Sequence, residues 1–329
     1  MIVLHEYDIV VVGGGPSGMA AAIEARKQGI LKVLLLERED YLGGVLNQCI
    51  HNRFGRNILN KDITGPEYAQ YFIEQIQDLG IEYKLNTMVL SITTTNVVSY
   101  VNPEDGMKEI EAKAIILATG SREKYTGNIN IPSNKFAGIY TVGTAHKLVN
   151  VQGYLPGKEI VIFGASDISL IVARRLIVEG ANVKAIIEAS PNIISGTSYS
   201  EQIAEAFNIS IKHSYTIHEV LGNERIEKVV VGKINNNGEI QEDSLETIEC
   251  DALLLSVGWL PETELAEGAR IKMSLTSLGP KVDSNFLTSQ KGVYACGNLI
   301  HAYSLADKCT EEGYRVGKSA AEYVKNSHL

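Results

Sequence analysis

The amino-acid sequence predicts an α/β protein in which a strand, a glycine-rich turn, a helix and a second strand occur twice in the same order. Three observations carry that expectation. Each unit opens on a strand-forming run, residues 7–12 and 159–163, continuously apolar from Ile9 and from Ile160. Each run enters a turn of small residues, GGGPSG at 13–18 and GASDIS at 164–169. In both units 24 positions separate the first glycine from a glutamate that closes the next apolar run: Glu37 after Gly13, and Glu188 after Gly164.

Unbroken apolar runs of this length suit strands covered on both faces of a parallel sheet. Behind the first turn, AAIEARKQG is helical and ends at Gly29, and LIVARRLIVEG is its counterpart ending at Gly180; a glycine is the usual C-terminal cap. Residues 32–36 and 183–187 are the strands that follow. The first half adds a helix, because Thr64-Gly65-Pro66-Glu67 spells a capping box with proline at the first helical position. Tyr68, Tyr71, Phe72, Ile76 and Leu79 then fall on one face and read as core. Both halves finish alike. Residues 97–101, a turn at 103–106, then 108–112 and 114–118 read as a hairpin plus a strand ending in LATG. Residues 226–234, an Asn237-Gly238 turn, 239–250 and 252–256 end in LSVG.

The first turn sets Gly13, Gly15 and Gly18 at the G-x-G-x-x-G positions, with Pro16 and Ser17 between them. Gly13 permits the tight bend, Gly15 lets a pyrophosphate reach the backbone, and Gly18 lets helix and strand pack closely. Amides at the helix start, with the helix dipole behind them, then hold phosphates. Glu37 lies 19 residues past Gly18, where a carboxylate can accept hydrogen bonds from a ribose diol. The second turn departs from this pattern, with Ser166 in the middle position and Ser169 in the third. A Cβ at Ser166 crowds a pyrophosphate, although its hydroxyl can also donate to one. Gly164, Asp167 and Glu188 complete the second candidate site. No arginine in EASPNII is available for a 2′-phosphate, so NAD(H) is favoured over NADP(H). The competing reading is a vestigial second unit without a nucleotide.

A chain of 329 residues, 45% hydrophobic with 30 Gly and 8 Pro, suits two globular domains. A net charge of −9 argues against nucleic acid or an anionic membrane as the main partner. No apolar run approaches the roughly 20 residues that span a bilayer. A first strand beginning at Tyr7 leaves no room for a signal peptide, and a reducing cytoplasm is the expected location. Cys49, Cys250, Cys296 and Cys309 form no C-x-x-C, and the histidines lack ligand spacing, so no metal site is expected.

Together these motifs resemble the two-dinucleotide-binding-domain flavoproteins, the thioredoxin-reductase-like branch of the pyridine nucleotide–disulfide oxidoreductases. The resemblance covers nearly the whole chain: the glycine cradle, Glu37 followed by Gly43-Gly44, LATG at 117–120, GASDIS, and GVYACGN at 292–298. NQCIH, TGPEYAQ and ACGN look most like FAD-dependent, NAD-linked oxidoreductases found beside glycerol-3-phosphate-dehydrogenase-like partners. They are also similar to flavoprotein subunits of multi-subunit amine and amino-acid dehydrogenases. The resemblance implies two Rossmann-like domains, the second inserted in the first. An FAD domain would comprise 1–123 and 259–329, an NAD(H)-type domain would span 124–258, and the dimerisation domain of the glutathione-reductase branch would be absent.

Carried over by position, Gly13, Gly15 and Gly18 hold the FAD pyrophosphate, with Pro16, Ser17 and Gly44 beside it, and Glu37 holds the adenosine ribose. Thr119-Gly120 closes over the adenine half, and Val89 touches adenine through its backbone. Gly297-Asn298 stands where the family has a Gly-Asp pair for the ribityl chain; the amide can still accept and donate. Lys308-Cys309-Thr310 looks like a helix start aimed at the flavin N1–O2 edge. The family's redox cysteine pair is missing, which argues against disulfide reduction. Cys49, in the loop that passes the flavin, is either a reactive thiol or a packing one. His51 is either an acid–base group or an ordinary hydrogen-bonded loop histidine. The implied activity moves a hydride between NAD(H) and flavin, and electrons to or from a small-molecule substrate or a redox partner protein. The alternative is an FAD-binding electron-transfer or scaffold subunit beside a companion dehydrogenase. A homodimer is compatible with either.

Overall fold

The computed structural model describes residues 5–126, 131, 136–191, 198–235, 237–302 and 305–327; of EASPNII, residues 192–194 lie outside them. The chain divides into two units, residues 1–122 with 260–329, and residues 123–259.

In the first unit β1 (His5–Val12), α1 (Pro16–Lys27) and β2 (Val33–Leu36) make one strand–helix–strand step, and every residue of β2 is buried. That lack of alternation marks a strand covered on both faces. There follow α2 (Gly65–Asp78), β3 (Glu82–Lys84), β4 (Met88–Ile92), β5 (Val97–Asn102) and β6 (Gly106–Leu117). The sheet order is β3-β2-β1-β6-β5-β4. β6 is a single strand where the sequence suggested two. Residues 106–111 pair antiparallel with β5, from Asn102↔Gly106 to Val97↔Glu111, and residues 110–117 pair parallel with β1, from His5↔Ile110 to Val12↔Leu117. β3 and β4 escaped the sequence reading: β3 has only three residues of mixed polarity, and in β4 the apolar Met88 and Leu90 are exposed, so its apolar letters do not mark its buried side.

The capping box of α2 is present: the Glu67 amide donates to Thr64 Oγ1, and the Thr64 amide donates to Glu67 Oε2 at 2.8 Å. Tyr68, Phe72 and Ile76 are buried as expected, whereas Tyr71 reaches solvent.

The chain leaves the first unit through β7 (Ser121–Glu123) and returns through β16 (Trp259–Pro261), which pair with each other. The second unit contains β8 (Ile139–Thr141), α3 (Val142–Lys147), β9 (Glu159–Phe163), α4 (Asp167–Val178), β10 (Asn182–Glu188), α5 (Ser198–Ala206) and β11 (Ile211–His213). An antiparallel sheet follows, β12 (Tyr215–Gly222), β13 (Ile226–Lys233) and β14 (Glu246–Glu249), and then β15 (Ala252–Leu255). β12 was not read from the sequence. The turn at Asn237-Gly238 is present, with Gly238 at φ +81°. The parallel sheet runs β11-β10-β9-β15-β8.

Back in the first unit, α6 (Glu264–Gly268) precedes β17 (Val293–Ala295), which lies parallel to β6, and α7 (Ala306–Asn326). The succession β3-β2-β1-β6-β17 thus repeats the order of the second unit. α7 lies close against α1: a Cβ at Gly313 or Gly317 would collide with the carbonyl oxygen of Ser17 or Ala21.

Candidate functional site

The turn between β1 and α1 uses its glycines in different ways. Gly13 sits at φ +107°, and a Cβ there would strike the Ala118 carbonyl; one at Gly18 would strike the Gly13 carbonyl. Both are glycine because the backbone closes on them. Gly15 is different: as the N-cap of α1 it has φ −75°, makes no side-chain cap, and a Cβ there would meet nothing within 4 Å. Open space before an uncapped helix N-terminus, with no acid in the first turn, fits a diphosphate. Gly44 closes the other side, its Cβ position 3.3 Å from Gly15 Cα. Pro16 opens the helix, where its missing N–H costs nothing.

Glu37 is 6% exposed at the end of the β2 run. Its Oε2 accepts the Gly14 amide at 2.6 Å, and its Oε1 accepts the Glu39 amide at 2.9 Å. Each oxygen keeps a second acceptor position for a ribose hydroxyl. The Glu37 carbonyl accepts the Thr87 amide, and Val89 follows in β4, buried opposite Tyr100. Thr119 Oγ1 donates to the Glu262 carbonyl at 2.9 Å, while Gly120 accepts the Glu262 amide, so this pair pins the returning chain.

The far end of the sequence meets the same turn. Gly297, at φ +69°, begins a short 3₁₀ turn, and a Cβ there would collide with Ser17 Oγ. The Gly297 amide donates to the buried Glu312 carboxylate, and Cys309 Sγ donates to Asn298 Oδ1 at 3.4 Å. Ser17, Gly297, Asn298 and Cys309 are therefore neighbours. α7 starts at Ala306, two residues before the Lys308-Cys309-Thr310 start expected, and its N-cap Leu305 makes no side-chain cap. Lys308 is exposed, whereas Thr310 is fully buried and accepts the Tyr68 hydroxyl at 2.9 Å. Asp307, also buried, accepts the Gly55 amide at 3.0 Å and the Asn57 amide at 2.8 Å. It fastens the loop after His51 to the helix start.

The loop candidates carry little reactivity of their own. Burial pushes the Cys49 thiol up to about 12, so it stays protonated near neutrality, and its Sγ donates to the Val45 carbonyl at 3.3 Å. Both features fit a packing thiol. His51 Nδ1 lies 2.8 Å from the Asn52 carbonyl, which places the proton on that nitrogen, and the ring packs against Phe54. Cys309 is likewise raised to about 12 by burial. All four cysteines are free.

In the second unit the backbone of the turn is reproduced. Gly164 has φ +102°, a Cβ there would strike the Ser256 carbonyl, and Glu188 accepts the Ala165 amide at 2.6 Å. The helix start is not reproduced. Ser166 caps α4 by accepting the Ser169 amide, and Asp167 sits in the first turn accepting the Ser200 hydroxyl. A carboxylate at that place opposes a diphosphate, so Asp167 is better suited to the helix dipole than to the nucleotide assigned to it from the sequence.

Gly14, Glu312, Asp307 and Ser256 were missed. Gly14 stands inside the motif and was signalled. Glu312 and Asp307 bond to backbone amides 15 and 252 residues away, and nothing local announces such partners.

The family model of pyridine nucleotide-disulphide oxidoreductases matches residues 7–313. The chain belongs to that family. Its members carry out flavin-dependent oxidoreduction, and the chain is of that class. It is 22% identical to the hydrogen cyanide synthase protein HcnB of Pseudomonas protegens, over 94% of this chain and 67% of that protein. It is 24% identical to one of the subunits of opine oxidase from Agrobacterium tumefaciens, over 89% and 61%. The chain thus spans about two thirds of the length of these relatives. It covers 97% of the thioredoxin reductase of Peptoclostridium litorale, at 25% identity over 97% of its own length. The thioredoxin reductase structure of T. acidophilum superposes with a TM-score of 0.78 at 22% identity, covering 99% of this chain and 100% of that one, a likeness of fold. No described helix is long and apolar enough to cross a membrane.

Proposed function

We propose that the chain binds FAD in its first unit and passes electron pairs between that flavin and NAD(H) on one side and a second reactant on the other. The Gly15 turn carries the reading: it is empty of side chains without being needed so for packing, and the helix amides behind it have no cap. FAD supplies the two-electron chemistry. The chain's own groups supply placement and charge. The α1 amides face the diphosphate, Glu37 orients the adenosine ribose, and Gly297-Asn298 orients the ribityl chain. At the start of α7 the buried Asp307 in the first turn already answers the positive end of the helix dipole, so that end is not assigned to the reduced ring.

A second reading has an observation of its own in the capped Ser166. Here the chain is an FAD-binding electron-transfer or scaffold subunit whose second unit holds no nucleotide, working beside a companion dehydrogenase. Two of its relatives, HcnB and the opine oxidase protein, are themselves named as subunits.

An absorption spectrum of the purified protein, followed by anaerobic titration with NADH and NADPH, tests both. Bound flavin bleached by NADH supports the first reading. Bound flavin indifferent to either nucleotide favours the second. A protein that stays colourless after incubation with excess FAD removes both.

A further inference from the structure

Three hydroxyls stand in the second unit where the first has none. Ser166, Ser169 and Ser256 take the places of Gly15, Gly18 and Ala118. The last correspondence is fixed by sterics, since a Cβ at Gly13 meets the Ala118 carbonyl as one at Gly164 meets that of Ser256. The three are joined. The Ser169 amide donates to Ser166 Oγ at 3.2 Å, the Ser166 amide donates to Ser169 Oγ at 2.7 Å, and the Ser166 and Ser256 hydroxyls are 2.7 Å apart. Ser169 Oγ also donates to the Ser166 carbonyl at 2.7 Å. Asp167 adds a carboxylate in the first turn of α4, where α1 has no acid. Amides that α1 leaves open are thus answered within the chain, and the positive end of the helix already faces a negative charge. The rest of the site persists, because the Gly164 bend and the Glu188–Ala165 bond match their counterparts in the first unit. The family match also runs through this unit. What separates the two turns is the hydroxyls, not the fold.

We propose that Ser166, Ser169 and Ser256 form a built-in competitor for the diphosphate of a dinucleotide, and that Ser256 holds Ser166 in its capping position. The network sets the affinity of the second unit for NADH. This rests on the proposed reading of that unit as a pyridine-nucleotide site. A diphosphate entering the turn displaces two capping bonds and one hydroxyl pair, and each displaced bond weakens its binding.

Calorimetric titration of the full chain with NADH compares the wild type, S256A and S166G/S256A. A helix cap is worth about a threefold to thirtyfold factor in such an equilibrium. S256A should tighten NADH binding about threefold and the double variant about tenfold or more, with a lower melting temperature because the cap of α4 is lost. Unchanged or weaker binding in a double variant that still melts cooperatively overturns the proposal, since the hydroxyls are then bystanders or phosphate ligands. Should the double variant fail to fold, S256A alone decides by the same readout. Lack of flavin in the wild type would defeat the proposed function but leave this comparison intact. Strong NADH binding by the wild type that S256A abolishes would defeat the competitor alone.

Discussion

Glu37 and Gly14, 23 residues apart in sequence, are joined by a buried 2.6 Å hydrogen bond from the Gly14 amide to the carboxylate. The bond ties the end of the β2 run to the turn that β1 enters, so the group proposed to hold the ribose also shapes the proposed phosphate cradle. Glu37→Ala should therefore affect both fold and cofactor. Leaving a buried amide without its acceptor costs about 1–3 kcal/mol. The expected outcome is a lower melting temperature together with reduced flavin content, read from the absorbance ratio of the purified protein. Full flavin occupancy in the variant would contradict the assignment.

Gly15 and Gly18 make a sharper pair. Gly15 has φ −75° and free space around its Cβ position, so Gly15→Ala should change the stability of the flavin-free protein by less than about 1 kcal/mol. Flavin affinity should nonetheless fall steeply. Gly18→Ala has no such room and should cost about 3 kcal/mol by overpacking alone. Melting curves of the two apoproteins separate the roles, and equal destabilisation would refute the distinction.

Asp307 predicts a local effect. Its carboxylate accepts the amides of Gly55 and Asn57, and Asp307→Ala should cost about 3 kcal/mol. Limited proteolysis should then cut faster between residues 52 and 62 than elsewhere. A cleavage pattern identical to the wild type would show that the loop is held by other means.

The thiols give a pH dependence with a definite sign. Burial raises Cys49, Cys250 and Cys309 from 9.0 to about 12, so the folded protein keeps protons that the unfolded chain has released. Their contribution to stability is complete below about pH 9 and declines as the pH rises from there toward 12. The melting temperature should drop across that window. Alkylation of the native protein near neutrality should be slow at all three; rapid labelling of Cys49 would overturn its packing role.

How much of this was legible depends on how far each partner lies along the chain. The two glycine turns, their glutamates and the Thr64 capping box were readable because partners sit within one strand–helix–strand step. The fusion of 108–112 and 114–118 into β6 was not, since one strand there serves three neighbours, β5 along its first part, β17 along its last and β1 on the other side, and its burial pattern changes midway. Tyr71 was misplaced on the buried face because an apolar stripe marks a helix side without marking where its cover ends. From the sequence Ser166 is expected to crowd a pyrophosphate. Its cap on Ser169 was not read there, and its bond to Ser256, 90 residues on, could not be seen there.

The packing of α7 on α1 through Gly313 and Gly317 has a bearing on biosynthesis. The alanine-lined face of the first helix stays uncovered on the ribosome until β17 and α7 emerge, while the inserted unit, although encoded later than α1, has its described strands from β8 to β15 in hand by residue 255. The inserted unit can thus complete its strands before α7 closes over α1.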